Sequence, residues 1–154
     1  TGKRFEYVRH GGRWSLIEKN LATLKQTRTH GMGIHAVYNL YNATRLNELL
    51  DWTKSNNLAI QWQSLYQPEC LDPLRLGEQV QSLARAELER CLQRSDLADS
   101  EQTFFQTALR NLNRPTQENL LPQLRDHINQ METVYHTDQR GKFSQLWPEL
   151  STLL

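Results

Sequence analysis

The chain has 154 residues, enough for one ordinary domain with a real core. Its formal charge of +1 gives no electrostatic grip on nucleic acid or an anionic membrane surface, so neither is expected as a partner. Hydrophobic residues make up 38 % of the sequence. No apolar run approaches the roughly 20 residues of a membrane span, yet the apolar positions recur too regularly for disorder.

Residues 1–13 carry Gly2, Gly11 and Gly12 and read as a loop leaving the carboxyl end of a strand that the chain itself does not supply. Loops at that end of a parallel sheet are where α/β proteins bind ligands. Residues 14–28 follow as a helix, with Trp14, Ile17, Leu21 and Leu24 on one face at spacings of 3, 4 and 3. Ile34 to Asn39 form a short strand with polar residues at its end. Asn42 or Thr44 caps a second helix carrying Leu46, Leu49, Leu50 and Trp52. Leu58 to Tyr66 is a second strand, alternating Leu58, Ile60 and Trp62 with Ala59, Gln61 and Gln63.

The α–β–α–β order predicts parallel strands joined by helical crossovers. Two such strands need neighbours, because parallel sheets are covered on both faces. The missing strands are expected from upstream sequence or a partner chain, and the isolated piece is expected to expose a strand edge and aggregate.

After the Pro68–Pro73 turn the sequence is helical throughout: 77–93, then 100–112 capped by Asp99, then Thr116 to about His136. Pro122 is tolerable there only within the first two turns. The tail runs Asp138-Gln139-Arg140-Gly141, Phe143 and Leu146-Trp147-Pro148-Glu149-Leu150. The division expected is an α/β unit, 1–76, and a helical C-terminal region, 77–154.

Few residues advertise chemistry. Cys70 and Cys91 form no CxxC pair, so neither a zinc ribbon nor a self-contained iron–sulfur site is encoded. Reduced thiols suit a cytoplasmic protein. The five histidines show no i,i+4 spacing on a helix, and Gly11-Gly12 lacks the pattern of a phosphate loop. Arg9 is the strongest candidate, a planar guanidinium able to fork onto a carboxylate. Asn39 ends the first strand and offers a carboxamide; Tyr66 ends the second.

The order of these features resembles the later part of a radical SAM (S-adenosylmethionine) enzyme, in its twitch- or SPASM-associated branch. That branch places an Arg about a dozen residues after a Ser-x-Asp-Gly, then a helix like Trp14, Asn20, Leu21 and Leu24 here. Next come a strand ending near an Asn, as at Ala36 to Asn42, and a strand running into a Pro-containing loop, as from Ile60 to Pro68. The tail Asp138-x-Arg140-Gly141…Trp147-Pro148-Glu149-Leu150 resembles the closing segment of short twitch-type members.

The resemblance implies an α/β partial (β/α) barrel fragment with parallel strands, followed by an α-helical region. It implies that Arg9 pairs with the SAM carboxylate, that Asn39 contacts the SAM amino acid or ribose, and that Tyr66 flanks the adenine. It also implies a 4Fe–4S cluster that reduces SAM to a 5′-deoxyadenosyl radical for hydrogen abstraction. The CxxxCxxC that ligates this cluster is absent, so the ligands are expected outside this chain. The substrate, a peptide or a small molecule, is not legible. The competing expectation is a non-enzymatic, α-rich interaction module.

Overall fold

The computed structural model describes residues 1–27, 30–112, 120–134 and 141–153. Its elements are α1 (Gly2–Val8), α2 (Trp14–Thr27), β1 (Met32–Tyr38), α3 (Leu40–Ala43), α4 (Leu46–Ser55) and β2 (Leu58–Ser64). Two short 3-10 turns, Glu69–Leu71 and Pro73–Arg75, lead to α5 (Glu78–Leu92) and α6 (Asp99–Leu112). The chain closes with α7 (Leu121–Val134), α8 (Phe143–Leu146) and α9 (Pro148–Ser151). It is a mixed α/β fold, mostly helical. The described residues form one sheet of two strands and no barrel.

β1 and β2 are parallel, in register from Met32↔Leu58 to Tyr38↔Ser64. The Leu65 N–H continues the ladder by donating to the Tyr38 carbonyl at 3.1 Å. Strand alternation sends Ile34, Ala36, Tyr38, Ile60 and Trp62 to one face. They pack there against Leu46 and Leu50 of α4, Ala84, Leu88 and Cys91 of α5, and Phe105, Ala108 and Leu112 of α6. The other face shows Gly33, His35, Ala59, Gln61 and Gln63 to solvent, with Val37 half-buried. The sheet is therefore covered on one side only.

A second core joins Tyr7, Leu40, Tyr41, Leu71 and Leu76 to Val80, Leu124, Ile128, Phe143, Trp147 and Leu150. At its centre Trp147 meets Phe143, Tyr41 and Tyr7 with ring centroids 5.1, 5.3 and 5.5 Å apart, and its indole N–H donates to the Tyr41 carbonyl at 3.0 Å. Both cores draw on residues from either side of position 76.

Three local expectations are corrected. The segment before Arg9 is a helix, not a loop, because Tyr7 on α1 is buried against the aromatic rings of α3, α8 and Trp147. The helix after β1 is split, and neither half is capped by Thr44. Asn39 caps α3 by accepting from the Tyr41 N–H at 2.9 Å, while Asn42 Oδ1 accepts from the Asn39 N–H at 2.9 Å, a reciprocal capping box. Thr44 instead donates to Glu149 at 2.9 Å, and α4 begins after Arg45 without a side-chain cap. Asp99 lies inside α6; Glu101 serves that end by accepting from the Ala98 N–H at 2.9 Å.

Other elements match to within a few residues. Pro122 falls in the first turn of α7 and Pro148 opens α9. Thr116, His136 and Asp138 to Arg140, which carried sequence expectations, lie outside the described residues. α2 forms where its period placed it, yet contains no buried residue: Leu16, Ile17 and Leu24 are 52, 37 and 43 % exposed. No described helix is long and apolar enough to cross a membrane.

Candidate functional site

A cavity of about 340 Å³ lies at the carboxyl-terminal half of β1. Its floor is Ile34 to Val37 and its aromatic wall is Phe5, Trp14 and Trp52, with Arg9, Asn39 and Tyr41 on its border. The wall is itself packed: Trp14 meets Phe5 at 5.4 Å and Trp52 at 4.9 Å. Trp14 is placed by α1, since Glu6 accepts from the Trp14 N–H at 2.7 Å and so satisfies an open donor at the start of α2.

Most cations around this cavity are already paired. Arg4 spans both Glu48 oxygens at 2.7 and 3.0 Å and donates through Nε to the Leu146 carbonyl at 2.8 Å. Arg45 makes a two-pronged contact with Glu149 at 2.9 and 3.0 Å. Burial pushes the Glu149 carboxyl upward, but the hydrogen bonds from Arg45 and Thr44 outweigh it and hold the group below the usual carboxylate range. Arg9 differs: its backbone N–H caps α1 by donating to the Phe5 carbonyl at 2.9 Å, and its exposed guanidinium makes no hydrogen bond or ion pair among the described residues. Among the described residues it is an unpaired cation at the mouth of the cavity.

The double glycine fixes that cation's backbone. Gly11 has φ +77°, the left-handed region that favours glycine. A Cβ on Gly12 would meet the Arg9 carbonyl oxygen and the Phe5 ring at 2.9 Å each. The turn therefore closes directly on Arg9, its Gly12 N–H donating to the Arg9 carbonyl at 2.8 Å.

Of the three residues expected to bind cofactor, Arg9 and Asn39 border this one cavity. The Asn39 carboxamide is partly spent, accepting from Tyr41 and donating to the Val37 carbonyl at 3.1 Å, which leaves one N–H and one lone pair. Tyr66 is 76 % exposed and does not border the cavity. Trp147, Arg45 and Glu48 border it without having been expected; their proximity is tertiary and no local spacing signals it.

No group of three or more His, Cys, Asp or Glu that could hold a metal occurs among the described residues. Cys91 is buried, and that burial, with the Glu87 charge, pushes its thiol up to about 12. Cys70 stands in the first 3-10 turn, half-buried, its thiol also raised by burial. Neither is a thiolate poised for a metal.

The class this geometry defines is an α/β fold with a two-stranded parallel sheet open on one face. No protein-family model, curated protein or solved structure matches the chain significantly.

Proposed function

We propose that this chain is the SAM-binding part of a radical SAM enzyme, the carboxyl-terminal segment of a partial barrel in a cytoplasmic protein. The observation that carries the reading is the Arg9 guanidinium, unpaired among the described residues, sharing a cavity with Asn39 at the carboxyl end of β1. Ligand sites of α/β sheets occupy that end. Arg9 anchors the SAM carboxylate by a charge-assisted fork. Asn39 uses its remaining N–H toward the amino-acid or ribose portion. The exposed sheet face bearing His35, Gln61 and Gln63 lines the barrel interior toward the substrate.

The residues of this chain do not fit a 4Fe–4S cluster, so no chemical step is assigned to them; the cluster is held by sequence outside the chain and supplies the reductive cleavage of SAM. The test has two parts. The reading frame ahead of Thr1 is read for a CxxxCxxC followed by Ser-x-Asp-Gly, and SAM affinity of the encoded protein is measured with Arg9→Ala. The expected loss is about 1.5–3 kcal/mol, the range for a hydrogen bond to a charged group, or roughly 10- to 150-fold. Unchanged affinity contradicts the role of Arg9, and a frame that opens at Thr1 contradicts the reading as a whole. The interaction-module reading draws on the exposed apolar residues of α2; saturable protein binding without SAM binding would favour it.

A further inference from the structure

The first cavity is aromatic along one wall and cationic at its mouth. Phe5, Trp14 and Trp52 are each half-buried and border it. Their ring planes are inclined, by 62° between Phe5 and Trp14 and by 58° between Trp14 and Trp52, so they make a corner and not a parallel slot. A flat base stacks on a flat face or in a slot. A corner of rings instead offers a rounded cation more than one negative π-face at once.

Position narrows the choice of ligand. The Arg9 N–H donates to the Phe5 carbonyl, so Arg9 stands one helical turn, about 5.4 Å, beyond the first ring of the wall. A carboxylate bound by Arg9 therefore brings the next few atoms of its molecule to the aromatic corner. Among the described residues Glu48 is the one carboxylate bordering the cavity, and Arg4 spans both of its oxygens. No free carboxylate is left there to receive a ligand cation, and the attractive surface that remains is the rings.

We propose that Phe5, Trp14 and Trp52 form an onium subsite. They hold the positively charged centre, sulfonium or quaternary ammonium, of a ligand whose carboxylate sits on Arg9. In SAM three carbons separate the carboxylate from the sulfonium, and the ribose and adenine lie beyond it. For the identity of the ligand this inference rests on the SAM reading; the chemistry of the subsite rests on the rings and Arg9. The consequence is specificity. The cavity distinguishes SAM from S-adenosylhomocysteine, which shares its skeleton and lacks one methyl group and the positive charge.

The experiment measures binding to the encoded protein by calorimetry, without reductant. Two probes of one shape are compared: 4-trimethylammoniobutanoate, with three carbons between carboxylate and cation, and 5,5-dimethylhexanoate, whose head is an uncharged tert-butyl group. The onium probe is expected to bind at least about fivefold more tightly, the worth of a partly shielded cation–π contact. Trp52→Leu should bring that ratio toward one. Incorporation of 5-fluorotryptophan keeps the ring shape and weakens its negative face; it should also lower the ratio, and it decides the matter if the Leu variant does not fold. Equal binding of the two probes, binding of neither, or a ratio untouched by fluorination would overturn the proposal. SAM and S-adenosylhomocysteine are titrated alongside. An onium preference in a protein that binds no SAM upholds the subsite and removes the SAM reading. SAM bound no more tightly than S-adenosylhomocysteine, with the two probes equal, does the reverse.

Discussion

Trp147→Phe tests whether the carboxyl-terminal segment holds α1, and with it Arg9, in place. Trp147 is fully buried, stacks on Phe143, and donates its indole N–H to the Tyr41 carbonyl at 3.0 Å. Phenylalanine keeps a ring but removes the donor, leaving a buried carbonyl unpaired at about 1–3 kcal/mol. The smaller ring adds roughly 1 kcal/mol of lost packing. The sum, about 2–4 kcal/mol, corresponds to a fall in Tm of roughly 5–12 °C for a chain of this size. Trp147→Ala should cost more, about 3–5 kcal/mol for packing before the unpaired carbonyl is counted. Urea unfolding followed by far-ultraviolet circular dichroism and by fluorescence gives both values if the two transitions coincide. Exchange of the α1 amides should rise in parallel, since Arg4 of that helix also donates to the neighbouring Leu146 carbonyl. A Phe variant within about 0.5 kcal/mol of the unsubstituted protein would refute the reasoning.

Three more outcomes follow from the same geometry. Gly12→Ala places a Cβ against the Arg9 carbonyl and should cost about 1–3 kcal/mol by overpacking, read from urea midpoints; a neutral effect would mean that the turn is free to shift. Arg9→Ala should leave stability within about 0.5 kcal/mol, because its guanidinium is exposed and has no partner among the described residues; a larger loss in thermal melts would assign it a structural role. Acid should weaken the fold in two stages. Burial lowers the His127 pKa, so its contribution is complete above the ordinary imidazole value of about 6.5 and is lost as pH falls below it. Glu149, net lowered, contributes above the ordinary carboxylate value and loses that contribution as pH falls through its folded-state pKa. Asp72, raised by burial, acts in the opposite sense, so the stages are isolated by the flattening of Tm–pH curves in His127→Gln and Glu149→Gln; unflattened curves would contradict the assignments.

Periodicity made much of this fold legible. α2, β1, α4, β2, α5 and α6 are long enough for apolar spacing to report their type, and the α–β–α–β order announced parallel strands. The misses are tertiary. Nothing local marks Gly2–Val8 as a helix; the burial of Tyr7 against Trp147, 140 positions away, stabilises it there. At the break between α3 and α4, Asn39 and Asn42 cap each other, whereas the sequence pointed to Asn42 or Thr44 and placed Asn39 at the strand end. The face of α2 was legible and its exposure was not, since periodicity tells which side is apolar without telling what lies against it. Arg9 and Asn39 were identified by their place after a loop and a strand, and they share a cavity. Tyr66, reached by the same logic, lies apart, because β2 ends at Ser64 and the chain turns outward before it.

The proposal that Arg9 anchors SAM in a radical SAM enzyme is tested most directly by 5′-deoxyadenosine release. The encoded protein containing this chain is supplied anaerobically with iron, sulfide, a strong reductant and SAM. The account predicts SAM-dependent 5′-deoxyadenosine, with at least tenfold less from Arg9→Ala at subsaturating SAM. No 5′-deoxyadenosine from a folded protein, or equal release from both forms, would contradict it.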